Sequence, residues 1–258
     1  MEGGRGMRYK LYFELENNRI NIQYRKNFLS FIKKAVYEYS DEYYKKLYND
    51  KECTIKPYTF AIFLNIPIFK DNNIELDKNV IEMNISIEST EIAILLYNAI
   101  KHQKNIKFSL DNNSMTLTNI EMLYEKEINS NEIKIKFLSP LVVLDKDRET
   151  KKDYFYSYGH EKFLETLKIN IREELKISTL SENVLEDFNI KMINAKKVIV
   201  KFYEKKIECT TGSFVLSGNI ELLNYLYKAG MGSKRSSGFG MFTIINWREG
   251  RNCRLKFI

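Results

Sequence analysis

Apolar and polar residues alternate from Arg8 to Leu15, the two-residue period of a half-buried strand. The period then lengthens. Phe28, Phe31, Ile32 and Ala35 share one face of a helical stretch from about Lys26 to Tyr48. Thr59 to Asn65 and Val80 to Glu88 predict two strands around the polar turn Lys70 to Asn73. Thr90 is the expected cap of a second helix carrying Ile92, Leu95, Leu96, Ala99 and Ile100, and Met115 to Tyr124 returns as a strand.

The same order then repeats. Glu132 to Leu144 reads as a strand broken by Ser139-Pro140, followed by a helix over about His160 to Leu175. Val198 to Glu204 and Ile207 to Cys209 with Phe214 to Leu216 predict a hairpin. A helix from Asn219 to Ala229 and a strand from Met241 to Ile245 complete the repeat. Strand, helix, hairpin, helix, strand, used twice, is an α+β arrangement of two tandem ferredoxin-like (βαββαβ) units. The expected boundaries are 7–125 and 126–246, with 1–6 a leader and 247–258 a basic tail without assignment. Two such open sheets side by side leave a groove for an extended strand.

Between the last helix and the last strand lies Gly230-Met231-Gly232-Ser233-Lys234-Arg235-Ser236-Ser237-Gly238-Phe239-Gly240, two Gly-apolar-Gly clamps around a polar, basic loop. A helix C-cap needs only one glycine. A doubled pattern points to close backbone approach, and free N–H groups beside Lys234 and Arg235 suit a polyanion. The loop leaves a helix and enters a strand, the reverse of a Walker loop or a dinucleotide fingerprint. Backbone or phosphate recognition on a nucleic acid remains.

The charge supports that partner. The chain has 258 residues and a net charge of +7. From Lys191 onward thirteen Lys/Arg face four Glu, a net of +9, which leaves the first 190 residues at −2. The basic surplus travels with the glycine loop. Hydrophobic content of 44% with 13% aromatic residues is enough for real cores. No apolar run approaches the roughly 20 residues of a membrane span, and no signal-peptide pattern opens the chain. Cys53, Cys209 and Cys253 are scattered and odd in number, which points to a reducing cytoplasm. With only His102 and His160 there is no His/Cys cluster of zinc spacing, and no Asp/Glu array resembles a two-metal nuclease; the expectation is a chemistry without metal or cofactor, or none. Tyr37, Tyr39, Tyr43, Tyr44 and Tyr48 crowd one helical segment, and lysines 196, 197, 201, 205 and 206 line a hairpin that could grip a nucleic-acid backbone.

Four segments in this order, Met7-Arg8-Tyr9-Lys10-Leu11-Tyr12-Phe13-Glu14, Lys56-Pro57-Tyr58-Thr59-Phe60, Phe137-Leu138-Ser139-Pro140-Leu141-Val142-Val143 and the doubled glycine loop, resemble the CRISPR-associated repeat-processing endoribonucleases of the repeat-associated mysterious protein (RAMP) superfamily. The resemblance runs from Met7 to about Ile245. It implies a cytoplasmic, metal-independent endoribonuclease that cleaves CRISPR precursor RNA within its repeats. The 2′-hydroxyl attacks the adjacent phosphate and leaves a 2′,3′-cyclic phosphate. Many members use a tyrosine, a histidine and a lysine: a base takes the 2′-hydroxyl proton, an acid protonates the 5′-oxygen, and a cation stabilises the phosphorus centre.

Carried over residue by residue, Lys56 matches the lysine and Tyr37 the tyrosine. The histidine's place, in Leu47-Tyr48-Asn49-Asp50, is taken by Tyr48. An unperturbed tyrosine with a pKa near 10 is a poor base at neutral pH. The catalytic candidates are therefore Tyr37, Tyr48 and Lys56; the RNA-binding candidates are Gly230, Gly232, Ser233, Lys234, Arg235, Ser236, Gly238 and Gly240. His102 at a helix end suits the helix dipole, and His160 follows Tyr154, Tyr156 and Tyr158, which could stack exposed bases. The alternatives are a repeat RNA-binding relative that does not cut and a structural RNA-binding subunit of a CRISPR effector complex. The expected partners are CRISPR repeat RNA and effector-complex subunits, with the chain a monomer or homodimer.

Overall fold

The computed structural model describes residues 7–48, 55–147, 149–203 and 205–245. The expected leader 1–6, tail 247–258 and the cysteines at 53 and 253 lie outside them. The first half contains β1 (Met7–Leu15), β2 (Arg19–Asn21), α1 (Tyr24–Tyr39), α2 (Asp41–Tyr48), β3 (Tyr58–Leu64), β4 (Ile68–Phe69), β5 (Asn73–Glu75), β6 (Val80–Ile87), α3 (Thr90–His102), β7 (Lys107–Leu110) and β8 (Asn113–Leu123). The second half contains β9 (Glu132–Phe137), β10 (Leu144–Lys146), β11 (Asp153–Phe155), α4 (Phe163–Leu175), β12 (Asn189–Phe202), β13 (Lys205–Ser217), α5 (Ile220–Ala229) and β14 (Phe242–Ile244).

The main sheets run β3-β6-β1-β8-β7 and β12-β13-β9-β14. In both, the second and third strands of the repeat form one side and the first lies between the third and fourth, the ferredoxin-like order. All their ladders are antiparallel. In β1 the alternation buries Tyr9, Leu11, Phe13 and Leu15 against α1 and α3, where Phe28, Phe31, Ile32, Leu96 and Ala99 complete one core. Ile135, Phe137, Phe214 and Leu216 do the same under α4 and α5. A third, small core joins Phe202, Ile207 and Cys209 of the long hairpin to Val142, Leu144 and Phe239.

Three local expectations change. The helix expected from Lys26 to Tyr48 is two helices, because Ser40 takes an extended conformation, donates its N–H to Val36 O and accepts from Tyr43 N at 3.4 Å. Ser89, not Thr90, caps α3, its hydroxyl accepting from Ile92 N. The hairpin is far longer than the alternating runs suggested, with a bulge between Met192 and Asn194.

The back of the first sheet carries a polar row. Arg8 faces Ser86 across β1 and β6, and Ser86 faces Thr59 across β6 and β3. All three are buried. Each donates to a backbone carbonyl of the second half: Arg8 to Phe242 O at 3.2 Å and to Tyr227 O, Ser86 to Lys228 O at 2.7 Å, and Thr59 to Phe239 O at 2.8 Å. The Arg8 guanidinium also lies 3.7 Å from the Tyr227 ring centroid. Burial holds its pKa below the ordinary arginine value. This row locks the two halves face to face, and the cleft between them follows from it.

Candidate nucleic-acid interface

The glycine loop forms one wall of that cleft. Asn219 caps α5 at its start, accepting from Glu221 N and Leu222 N, and the helix ends at Gly230, whose N–H reaches Leu226 O. The two Gly-apolar-Gly clamps then close on each other and on the 138–143 segment. Met231 N donates to Gly240 O, Gly240 N to Pro140 O, and Ser233 N to Val142 O. A Cβ on Gly240 would stand 2.0 Å from Met231 O, and one on Gly238 would stand 2.6 Å from the Phe60 ring, so both approaches require glycine. The glycines therefore serve to zip the loop onto 138–143 and dock it on β3. The N–H groups of Met231, Ser233, Gly238 and Gly240 are thus spent inside the protein.

The eight RNA-binding candidates separate accordingly. Gly230, Gly232, Arg235, Gly238 and Gly240 are buried, while Ser233, Lys234 and Ser236 are half-buried. Arg235 turns inward: it donates to Ala229 O at 2.9 Å, and its Nε lies 3.3 Å from the Glu174 carboxylate. Lys234, in the left-handed conformation at φ 60°, is half-buried in the lining of the cleft. Burial, then the neighbouring cations Lys146 and Lys205, hold its ammonium below the usual lysine pKa, against the pull of Asp153.

Lys234 opens on a cleft of about 550 Å³, walled by Lys56 of the first half, Lys146 of β10, Asn170 and Glu173 of α4, and the loop itself. Asn170 ties three of these walls: its Oδ1 accepts from Leu144 N (2.9 Å) and the Ser233 hydroxyl (3.0 Å), and its Nδ2 donates to Leu144 O (2.7 Å). Glu173 pairs with Lys176, and Asp153 with Lys205. The lining carries Lys56, Lys146, Lys234 and Arg235 against Asp145, Glu173 and Glu174; a phosphate backbone would meet the lysines.

Lys56 belongs to a second cluster as well. Its ammonium lies 5.8 Å from the centroid of the Tyr48 ring, and that of Lys33 lies 5.2 Å from the same centroid. Tyr48 packs on Tyr44 and Tyr44 on Tyr37, each pair 5.3 Å between centroids. The three catalytic candidates thus fall in one neighbourhood, with very different exposures. Tyr37 is 58% exposed and Tyr48 only 6%. The Tyr48 hydroxyl lies 2.9 Å from that of Tyr58 in the core. Burial, then Tyr58, raises the Tyr48 pKa well above the tyrosine value, so this hydroxyl holds its proton more tightly than a free tyrosine does.

Neither histidine lines the cleft. His102 packs edge-on to Tyr39, and His160 stacks on Tyr156 at 4.4 Å. Among the described residues no group of three His, Cys, Asp or Glu could hold a metal ion, and no helix is long and apolar enough to cross a membrane. Lys33, Lys146 and Asn170 escaped sequence reasoning, since nothing in their neighbourhoods distinguishes them from surface residues.

Residues 123–244 match the family model described as CRISPR associated protein Cas6, C-terminal. No curated protein matches the chain. A structure of a Cas6-related protein from Pyrococcus furiosus superposes with a TM-score of 0.81 at 24% identity, over 95% of this chain and 100% of that one. A structure described as an RAMP protein binding different RNA substrates gives 0.79 at 21%, over 93% and 100%. A Cas6 product complex gives 0.70 at 13%, again over 93% and 100%. At these identities the likeness is one of fold.

Proposed function

We propose that this chain, a member of the CRISPR-associated Cas6 family through residues 123–244, binds CRISPR repeat RNA in the cleft and cuts it without metal, by attack of a 2′-hydroxyl on the adjacent phosphate. The observation that carries the reading is the position of Lys56. It lines the cleft with Lys146 and Lys234, and it also stands over the Tyr48 ring in the cluster that includes Tyr37. A backbone held on the cleft lysines would bring one phosphate to Lys56, whose charge offsets the negative charge gathering on phosphorus. Exposed Tyr37 would flank the scissile nucleotide. Ser233 and Ser236 would add neutral hydrogen bonds to the backbone.

The test is incubation of the protein in EDTA with repeat RNA from its own genome, beside the same RNA carrying a 2′-deoxy substitution at the cut site. A single cut leaving a cyclic phosphate, abolished by the deoxy substitution, is the expected result. The second reading is a repeat binder that does not cut, favoured by the buried hydroxyl of Tyr48 where the resemblance puts a histidine. Tight, repeat-specific binding with intact RNA would establish it.

A further inference from the structure

β12 forms one side of the second sheet, and no strand among the described residues pairs with its outer edge. The strand runs for 14 residues and leaves a long row of backbone groups open on that side, apart from the Met192 N–H, which the Tyr158 hydroxyl takes at 3.3 Å. Lys191, Lys196, Lys197 and Lys201 stand exposed along it, with no acidic residue among them. Met192, Ile193 and Ile199 are exposed as well. Lysines and a bulge on an edge are a usual defence of a sheet against copies of itself. The same lysines make this edge selective. A second β12 would bring like charges together, whereas an acidic strand would neutralise them.

The edge is separate from the cleft, since no residue of β12 lines it. Only the hairpin tip comes near, through Lys205, which neighbours Lys234 and pairs with Asp153. Met192 stands ten residues up the strand from Phe202, roughly 30 Å away. Its exposed neighbours are aliphatic, whereas unpaired bases stack on aromatic rings. We propose that the outer edge of β12 docks an acidic, extended segment of another protein, which adds to the sheet as a fifth strand. Main-chain hydrogen bonds hold the segment along the edge. Its carboxylates meet the lysines, and its apolar residues cover Met192, Ile193 and Ile199.

The probe is a peptide of about ten residues, alternating glutamate with valine or threonine, titrated onto the full chain. Beside it run the same peptide methylated on alternate backbone nitrogens, and one with lysine in place of glutamate. Only the unmodified acidic peptide is expected to bind, and it should slow amide exchange in β12. Lys191→Glu with Lys196→Glu should weaken binding about tenfold or more. Lys191→Gln with Lys196→Gln, which removes the charge without reversing it, should lie between that variant and the wild type. Binding of the methylated peptide, or slowed exchange only around Lys234, would put the peptide on the cleft lysines and overturn the proposal. An equal loss of repeat-RNA affinity in the glutamate variant would give the edge to RNA instead. A dimer that Ile193→Asp dissolves would give it to a second copy of this chain. No binding by the acidic peptide overturns the proposal outright.

Discussion

Arg235 and Glu174 meet at 3.3 Å in the floor of the cleft, both almost completely buried. The pair fastens the glycine loop to α4, and the bond from Arg235 to Ala229 O fastens it to the end of α5. A residue adjacent in sequence to Lys234 therefore does an opposite job. Both residues line the cleft, but the Arg235 guanidinium is spent on holding the wall together.

That burial has a pH signature. Burial, only partly offset by the Arg235 guanidinium, pushes the Glu174 carboxyl up to about 8. A carboxyl with a raised folded pKa binds its proton more tightly in the folded than in the unfolded state. Its contribution is fully present below the unfolded pKa of about 4.5 and is lost as pH rises through about 8. Denaturant midpoints measured across that window should fall for the wild type and fall less for Glu174→Gln. Parallel curves would mean that the carboxyl ionises normally.

The polar row Arg8–Ser86–Thr59 predicts a different defect. Ser86→Ala and Thr59→Val each leave a carbonyl of the second half, half-buried Lys228 O or buried Phe239 O, without its donor, at a cost of about 1–3 kcal/mol. Arg8→Met should cost more, because two carbonyls and the Tyr227 ring lose their partner. Thermal melts would show the lowered Tm. Repeat-RNA affinity should weaken in the same variants, since the cleft walls come from both halves, although none of these side chains faces the cleft. A variant that melts normally and binds poorly would place its side chain in the RNA site.

Long periodic elements were legible in the chain, and contacts across the fold were not. β1 and α5 declare themselves because one face of each is buried along its whole length. β2, β4 and β5, two or three residues each, are too short to show any period. The outer strand β12 is mostly exposed, so alternation fades along it even though pairing continues. The glycine loop was found from its spacing, but the role of its glycines depends on Thr59 and Phe60, which approach from the other half. The direction of Arg235 depends on a carboxyl in α4, and no local pattern carries that information.

Tyr48 gives the sharpest contrast between a matched position and a matched chemistry. Its hydroxyl and that of Tyr58 satisfy each other in the core, so Tyr48→Phe and Tyr58→Phe should each cost about 1 kcal/mol and lower Tm to a similar extent. Cleavage rates should then move together in the two variants. A loss of 10²-fold or more in Tyr48→Phe alone would show instead that this hydroxyl reaches the reacting nucleotide.

The neighbouring residues 234 and 235 separate binding from architecture. Lys234→Ala removes a cation from the cleft beside Lys146 and Lys205. It should weaken repeat RNA binding and reduce the slope of log K against log salt by about 0.7–0.9, one phosphate contact, with little change in Tm. Arg235→Ala should leave that slope alone and lower stability by about 2–3 kcal/mol, the worth of a charged hydrogen bond to Ala229 and its packing. Salt titrations of affinity, run beside melts on the same samples, distinguish the two. An unchanged slope in Lys234→Ala would take this lysine off the RNA path, and a reduced slope in Arg235→Ala would mean that the loop opens to present the guanidinium when RNA arrives.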